Sequence, residues 1–136
     1  MVLLGTRVLA ADEVVVHPKY QAAVLEARDG GQVTTRSKLF DESSGPSLWP
    51  KAYDGRSLVV QSHKDFVNGV SIEDIRKSHK EAVTAEDKGY DTILRGRAAI
   101  WAGTGVGLVK SVASAASIVE GVRKEAKYIL LRAARL

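Results

Sequence analysis

A three-residue apolar run near the start of the chain, from Val2 to Leu4, ends directly at Gly5. No polar residue interrupts it, and such a run is typical of a strand buried on both faces, as in a parallel sheet. A buried parallel strand needs further strands beside it and helices on both faces. The 136 residues offer few further strands. We therefore expect this run to be a piece of a larger sheet.

Two later segments have clear helical periodicity. Ser71 immediately precedes the first of these segments. Asp74 lies three residues after Ser71, which is a capping-box-like spacing. Its predicted inner face is formed by Ile72, Ile75, His79, Ala82 and Val83. The second segment runs from Ser114 to Ala134, and one stripe of it is apolar. We expect that stripe to be buried, and its members are Ile118, Val122, Ala126, Ile129 and Ala133.

The segment from Ala10 to Gly31 also reads as helical. After a break near His17, Pro18 can occupy the first helical position, and the Gly30–Gly31 pair would end the helix. Its predicted buried residues are Tyr20, Val24 and Ala27.

The middle of the chain contains less regular patterns. Residues 32–40 include a cluster of β-branched side chains and predict a short strand. Residues 41–55 are rich in Ser, Gly, Pro and Asp and predict a loop. We expect Trp49 and Tyr53 to anchor this loop. Residues 56–62 are ambiguous between strand and helix. The sequence thus predicts a mainly α protein with a few short strands, of the α+β class.

The stretch IWAGTGVGLV, residues 100–109, carries three alternating glycines. A dinucleotide-binding fingerprint has the spacing G-x-G-x-x-G and a second strand about 20 residues on, and neither occurs here. A P-loop is excluded because no Gly-Lys-Ser/Thr follows. The glycines instead allow the backbone to pass close to another surface. A helix beginning near Thr104 would direct free N–H groups at that surface.

Composition excludes several kinds of site. The chain contains no cysteine, so disulfides, thiolate chemistry and cysteine-ligated metals are absent. Its three histidines, His17, His63 and His79, show no i, i+4 pairing. The acidic pairs suit solvated surface charge, and no G-x-S-x-G nucleophile motif occurs. We predict no metal site and assign no catalytic residue.

The net charge of +4 is concentrated at the end of the chain. Residues 121–136 hold five basic side chains and one acid, with one aromatic residue, Tyr128, among them. A nucleic-acid interface usually adds base-reading or aromatic groups, so we predict a solvated helix face and no nucleic-acid partner. Contact with an acidic partner or a membrane surface is the alternative. No apolar run is long enough to span a bilayer, and no secretory signal is evident, so we expect a soluble cytoplasmic protein.

Five segments, in order and over nearly the whole chain, together resemble the C-terminal part of nitronate monooxygenases, formerly 2-nitropropane dioxygenases, of the fungal type. The long run from Arg97 to Leu130 and the Gly-Thr-Arg element carry the most weight. The segments are LLGTRVLAADE, HPKYQAAVLEA, DGGQVTTRSKLFDE, GPSLWPKAYDGRS and RAAIWAGTGVGLVKSV followed by IVEGVRKEAKYIL.

This resemblance implies an FMN-binding (β/α)₈ TIM barrel with a mainly helical capping domain. It implies oxidation of alkyl nitronates by O₂ to a carbonyl compound and nitrite, so FMN, a nitronate and O₂ are the expected small molecules. Gly5 and Thr6 match a strand-end Gly-Thr pair that contacts the FMN phosphate, and a strand-end turn of this kind can cradle phosphate. Trp101, Gly103 and Thr104 are implied neighbours of the flavin pocket.

The family's second phosphate loop, its earlier flavin-binding strands and its catalytic histidine precede the matched part. None of the three histidines matches that catalytic residue. We therefore expect a C-terminal portion that is inactive alone. Residues 1–30 would form the last barrel strand and its helix, 31–96 the capping-region loops and helix, and 97–136 the glycine-rich turn and C-terminal helix. A helical interaction module derived from the enzyme, a homo-oligomer, and another flavin oxidoreductase of the same barrel superfamily are the alternatives.

Overall fold

The computed structural model describes residues 4–92 and 95–135. The regular elements, in chain order, are α1 (Gly5–Val8), α2 (Pro18–Glu26), α3 (Gly30–Val33), β1 (Thr34–Arg36), α4 (Lys38–Glu42), β2 (Arg56–Leu58), α5 (Gln61–Val67), α6 (Ile72–Thr84), the 3-10 helix η1 (Thr104–Leu108) and α7 (Ala115–Ala133). The prediction of a mainly helical α+β chain is confirmed. The described residues form a two-stranded sheet rather than a barrel.

Most of the strand predicted at Val2–Leu4 falls on residues that the structure does not describe. Val2 and Leu3 lie outside the described residues, and Leu4 precedes α1 without strand geometry. Val8 donates its N–H to the Leu4 carbonyl at 3.0 Å. Gly5 therefore begins a single helical turn, and the Gly-Thr pair lies in that turn rather than in extended backbone.

A small sheet brings the glycine-rich stretch to the centre of the molecule. β1 and β2 are antiparallel, with Thr34 opposite Leu58. At the other edge of β2, Ser57 and Trp101 form an antiparallel bridge. Leu58 donates its N–H to the Ile100 carbonyl at 2.9 Å. Residues 100–102 thus extend the sheet by a short third segment.

The hydrophobic core lies between α2, β2 and residues 100–109. Because side chains from these segments converge there, apolar area is removed from water, which is the main favourable contribution to folding. The buried members of this core are Ala10, Tyr20, Ala23, Val24, Ala27, Leu58, Ile100, Ala102, Val106 and Val109.

Helix α2 begins as predicted, with Pro18 at the first helical position and His17 as the N-cap. The predicted helical turn before it is wrong, because residues 14–17 are not helical. Three successive valines restrict χ1 and favour extended backbone, and a residue before proline disfavours the α region.

The predicted stop of α2 at Gly30–Gly31 is also wrong. The helix ends at Glu26, and Gly30 begins α3 with the Asp29 side chain as its cap. A Cβ on Gly30 would overlap the backbone of Thr104. This glycine therefore allows η1 to pack closely on α3, and it does not end a helix.

Helix α6 confirms its prediction closely. The Asp74 N–H donates to Ser71 Oγ at 3.1 Å, so the N-terminus is capped. Ile75 and His79 are buried on its inner face.

Helix α7 has the predicted length, but its predicted buried stripe is wrong. Ile118 is buried and Val122 is half-buried, whereas Ala126, Ile129 and Ala133 are exposed. The start of the helix contacts α1, while its C-terminal half extends past the elements that the structure describes. The predicted helix start near Thr104 is a five-residue 3-10 helix, and α7 begins at Ala115.

In the middle of the chain, one prediction is wrong and one ambiguity is resolved. Trp49 and Tyr53 do not anchor the loop in the core, since their exposed fractions are 66% and 63%. The ambiguous segment 56–62 contains both types of structure, with β2 first and α5 beginning at Gln61. No helix among the described residues is both long and apolar enough to cross a membrane.

Candidate functional site

Four of the five predicted site residues line one cleft. Gly103 donates its N–H to Thr6 Oγ1 at 2.9 Å, which joins residues 97 positions apart in sequence. The cleft beside this contact has a volume of about 460 Å³. Its lining consists of Gly5, Thr6, Leu9, Tyr20, Arg56, Trp101, Ala102 and Gly103. We call it the Thr6 cleft.

The fifth predicted residue, Thr104, lies in an adjoining cleft of about 660 Å³. Gly5, Thr6 and Gly103 border both clefts. Helix α7 contributes Val122 and Glu125 to this second cleft. The structure therefore brings all five predicted residues to one region, on the two sides of the Thr6–Gly103 contact.

Trp101 is held in the Thr6 cleft by its backbone and by the room left for its ring. The Tyr20 hydroxyl donates to the Trp101 carbonyl at 3.3 Å. A Cβ on Gly55 would overlap the indole ring of Trp101, so a glycine is needed there for the ring to lie where it does. Phe40 meets the same ring edge-on, at 6.2 Å between ring centroids.

Tyr20 remains a hydrogen-bond donor over the physiological pH range. Burial raises the pKa of its hydroxyl to about 12, because the interior disfavours the phenolate. The hydroxyl is therefore protonated near neutral pH and can position the Trp101 carbonyl.

The reasons for having glycine near the clefts differ from one position to another. A Cβ on Gly107 would overlap the Arg28 carbonyl, so packing alone requires glycine there. A Cβ on Gly5 or Gly105 would meet no protein atom within 4 Å. Protein packing does not explain these two glycines, but both border the second cleft, and Gly5 also borders the Thr6 cleft. A missing side chain there allows a ligand to approach the backbone.

The two clefts differ in the net charge of their lining residues. Arg56 is the charged residue of the Thr6 cleft, and its Nη1 donates to Thr34 Oγ1 at 3.1 Å. The second cleft is lined by both Arg7 and Glu125, whose charges offset each other. The Thr6 cleft is therefore the more favourable environment for an anion.

The histidines lie outside both clefts. His17 caps α2, and His63 stacks on Phe40 with ring centroids 5.5 Å apart. Burial lowers the pKa values of His63 and His79, because a charged imidazole loses hydration there. Across the described ranges, no group of three or more His, Cys, Asp or Glu side chains is placed to hold a metal ion.

Comparison with known proteins shows what the chain is similar to. No protein-family model matches the chain. It is 36% identical over 129 residues to nitronate monooxygenase npaC of Metarhizium robertsii, and the match covers 95% of the chain and 36% of that protein. It is also 36% identical over 126 residues to the nitronate monooxygenase of Neurospora crassa, covering 93% of the chain and 32% of that protein. The chain is thus similar in sequence to two nitronate monooxygenases.

The chain spans about a third of the length of these relatives and matches a C-terminal part of them. The resemblance read from the sequence is therefore confirmed, including its restriction to that part. Sequence reasoning missed four lining residues of the Thr6 cleft, which are Leu9, Tyr20, Arg56 and Ala102. Tyr20 was expected in the core, and no local pattern distinguishes a core tyrosine from one whose hydroxyl reaches a site.

Proposed function

We propose that this chain supplies the phosphate-binding wall of an FMN site in a nitronate monooxygenase. In that reaction an alkyl nitronate is oxidised by O₂ to a carbonyl compound and nitrite. The observation that carries the proposal is the Thr6–Gly103 hydrogen bond, which joins two predicted flavin-contacting segments at one cleft. The family relationship supports the same activity.

The groups lining the Thr6 cleft suit a phosphate monoester. A hydroxyl oxygen has two acceptor lone pairs and one hydrogen to donate. Thr6 Oγ1 accepts from the Gly103 N–H, and none of the hydrogen bonds of the described residues uses its own hydrogen. That hydrogen is therefore available to a phosphate oxygen. Arg56 adds a positive charge, and Gly5 leaves room for close approach. These three residues would hold the phosphate.

Bound FMN supplies the redox chemistry between nitronate and O₂. On this account Trp101 and Ala102 would orient the remainder of the cofactor, since they continue the wall of the cleft beyond Thr6. We assign proton transfer to no residue of this chain, because no histidine lines either cleft. Turnover would therefore require residues of the relatives that lie outside the matched third.

An amide NMR titration of the full chain tests the phosphate assignment. FMN should shift the amide signals of Gly5, Thr6 and Gly103, whereas riboflavin, which lacks the phosphate, should leave them unchanged. Binding by the chain alone should be weak, because one wall offers few of the contacts of a complete site. Thr6→Ser should preserve the shifts, and Thr6→Val should abolish them.

Thr84→Val is the matched control, since Thr84 is exposed on α6 and donates to the Glu81 carbonyl within its own helix. This variant should respond to FMN as the unmodified chain does. Equal responses to FMN and riboflavin, or shifts that persist in Thr6→Val, would contradict the assignment.

A further inference from the structure

A third surface cleft, of about 360 Å³, lies at Trp101 and is formed mainly by the loop between α4 and β2. We call it the aromatic cleft. Its lining consists of Asp41, Trp49, Tyr53, Asp54, Gly55 and Trp101. It combines three large aromatic rings with two carboxylates, and the lining contains no cationic side chain. It shares Trp101 with the Thr6 cleft, and none of its other lining residues borders that cleft.

The exposure of the three rings is not explained by packing. The exposed fractions of Trp49, Tyr53 and Trp101 are 66%, 63% and 42%. Large aromatic side chains gathered in one exposed cleft usually mark a binding site. The faces of aromatic rings carry partial negative charge and attract cations, tryptophan most strongly. Both tryptophans of the chain line this cleft.

The two carboxylates of the aromatic cleft have different partners. Asp54 accepts from Arg36 Nε at 2.6 Å, so its charge is compensated. Asp41 Oδ2 accepts the Gly55 N–H at 2.9 Å, and no basic side chain lies within ion-pair distance of Asp41 among the described residues. The hydrogen bond fixes Asp41 on the loop while its charge remains. The cleft is thus left with one uncompensated negative charge beside three aromatic rings.

We propose that the aromatic cleft binds an organic cation of the alkylammonium class. The alkyl groups of such a ligand contact the rings, and its positive charge is attracted both by the ring faces and by Asp41. A nitronate is an anion, and the same carboxylate repels it. This binding site is therefore distinct from the proposed nitronate chemistry, although Trp101 borders both clefts, and the proposal does not depend on FMN binding.

Intrinsic tryptophan fluorescence of the full chain tests this directly, because both tryptophans report on the cleft. Choline is the probe, and the control ligand is its neutral isostere, in which carbon replaces the ammonium nitrogen. Choline should change the emission saturably, and the isostere should bind at least tenfold more weakly. Equal binding of the two ligands would identify an apolar groove and overturn the proposal, as would the absence of any saturable response to choline.

Variants separate charge from shape. Asp41→Asn keeps an acceptor for the Gly55 N–H and removes the charge, so choline affinity should fall at least fivefold. Tyr53→Phe keeps the ring face and should bind choline nearly normally, whereas Tyr53→Leu should weaken it. Asp12→Asn, at an exposed position outside the cleft, is the matched control and should bind choline as the unmodified chain does. Unchanged affinity in both Asp41→Asn and Tyr53→Leu would overturn the proposal.

Discussion

Helices α2 and α7 both have an amphipathic sequence, but among the described residues only the apolar face of α2 is covered by other segments. Helix α2 buries Tyr20, Ala23 and Val24. Helix α7 is more than twice as long, yet among its described residues Ile118 alone is buried. Periodicity therefore identifies which face of a helix is apolar. Whether that face is covered depends on distant segments, and the described residues supply such segments for α2.

The largest expected effect comes from a matched pair of leucine truncations. Leu58 is fully buried against the core that includes α2, whereas Leu130 in α7 is 69% exposed. Leu58→Ala should lower the free energy of unfolding by about 2–5 kcal/mol, through lost burial and a cavity. Leu130→Ala should change it by less than about 0.5 kcal/mol. Urea unfolding followed by circular dichroism measures both, and equal losses would show that Leu130 in α7 is as well packed as Leu58 in the core beside α2.

An intermediate effect is expected at the glycines of η1, which covers the C-terminal end of α2. Gly107→Ala places a methyl group against the Arg28 carbonyl, so the backbones must separate. The free energy of unfolding should fall by about 1–3 kcal/mol. Gly105→Ala meets no atom within 4 Å and should cost less than about 0.5 kcal/mol. Thermal unfolding of the two variants compares them, and a reversed order would contradict this close packing.

The smallest effect concerns α6, whose inner face is partly buried. Its degree of burial is therefore intermediate between those of α2 and α7. Burial lowers the pKa of His79 below its ordinary 6.5, so the unfolded chain binds a proton more readily than the folded chain. The contribution of this residue to stability is therefore present above pH 6.5 and is lost as the pH falls below that value. Unfolding free energies measured across this range should decline less steeply in His79→Gln, and an unchanged slope would contradict the assignment to His79.

Local signals in the sequence predicted the ends of several helices correctly. Ser71 and Ser114 cap α6 and α7, and Pro18 begins α2, because capping and proline geometry depend on neighbouring residues. The role of Gly30 could not be read in this way, since it depends on the backbone of Thr104, far away in sequence. The exposure of Ile129 likewise depends on which segments lie beside α7.

The candidate site shows the same division between local and distant information. The resemblance to nitronate monooxygenases identified Thr6 and Gly103, which the structure joins by a hydrogen bond. Tyr20 and Arg56 reach the Thr6 cleft through tertiary packing. Neither residue has a sequence motif that distinguishes it from a core tyrosine or a surface arginine. The presence in the cleft of side chains that tertiary packing positions therefore could not be predicted from the sequence.

The Thr6 cleft is tested most directly in a chimera, in which this chain replaces the matching third of the Neurospora crassa nitronate monooxygenase. The purified chimera should contain FMN and oxidise nitronates. Thr6→Val should lower its FMN affinity at least tenfold and leave its riboflavin affinity unchanged, since a hydrogen bond to a charged group contributes about 1.5–3 kcal/mol. A folded chimera whose FMN affinity is the same with Thr6 and with valine at that position would contradict the account.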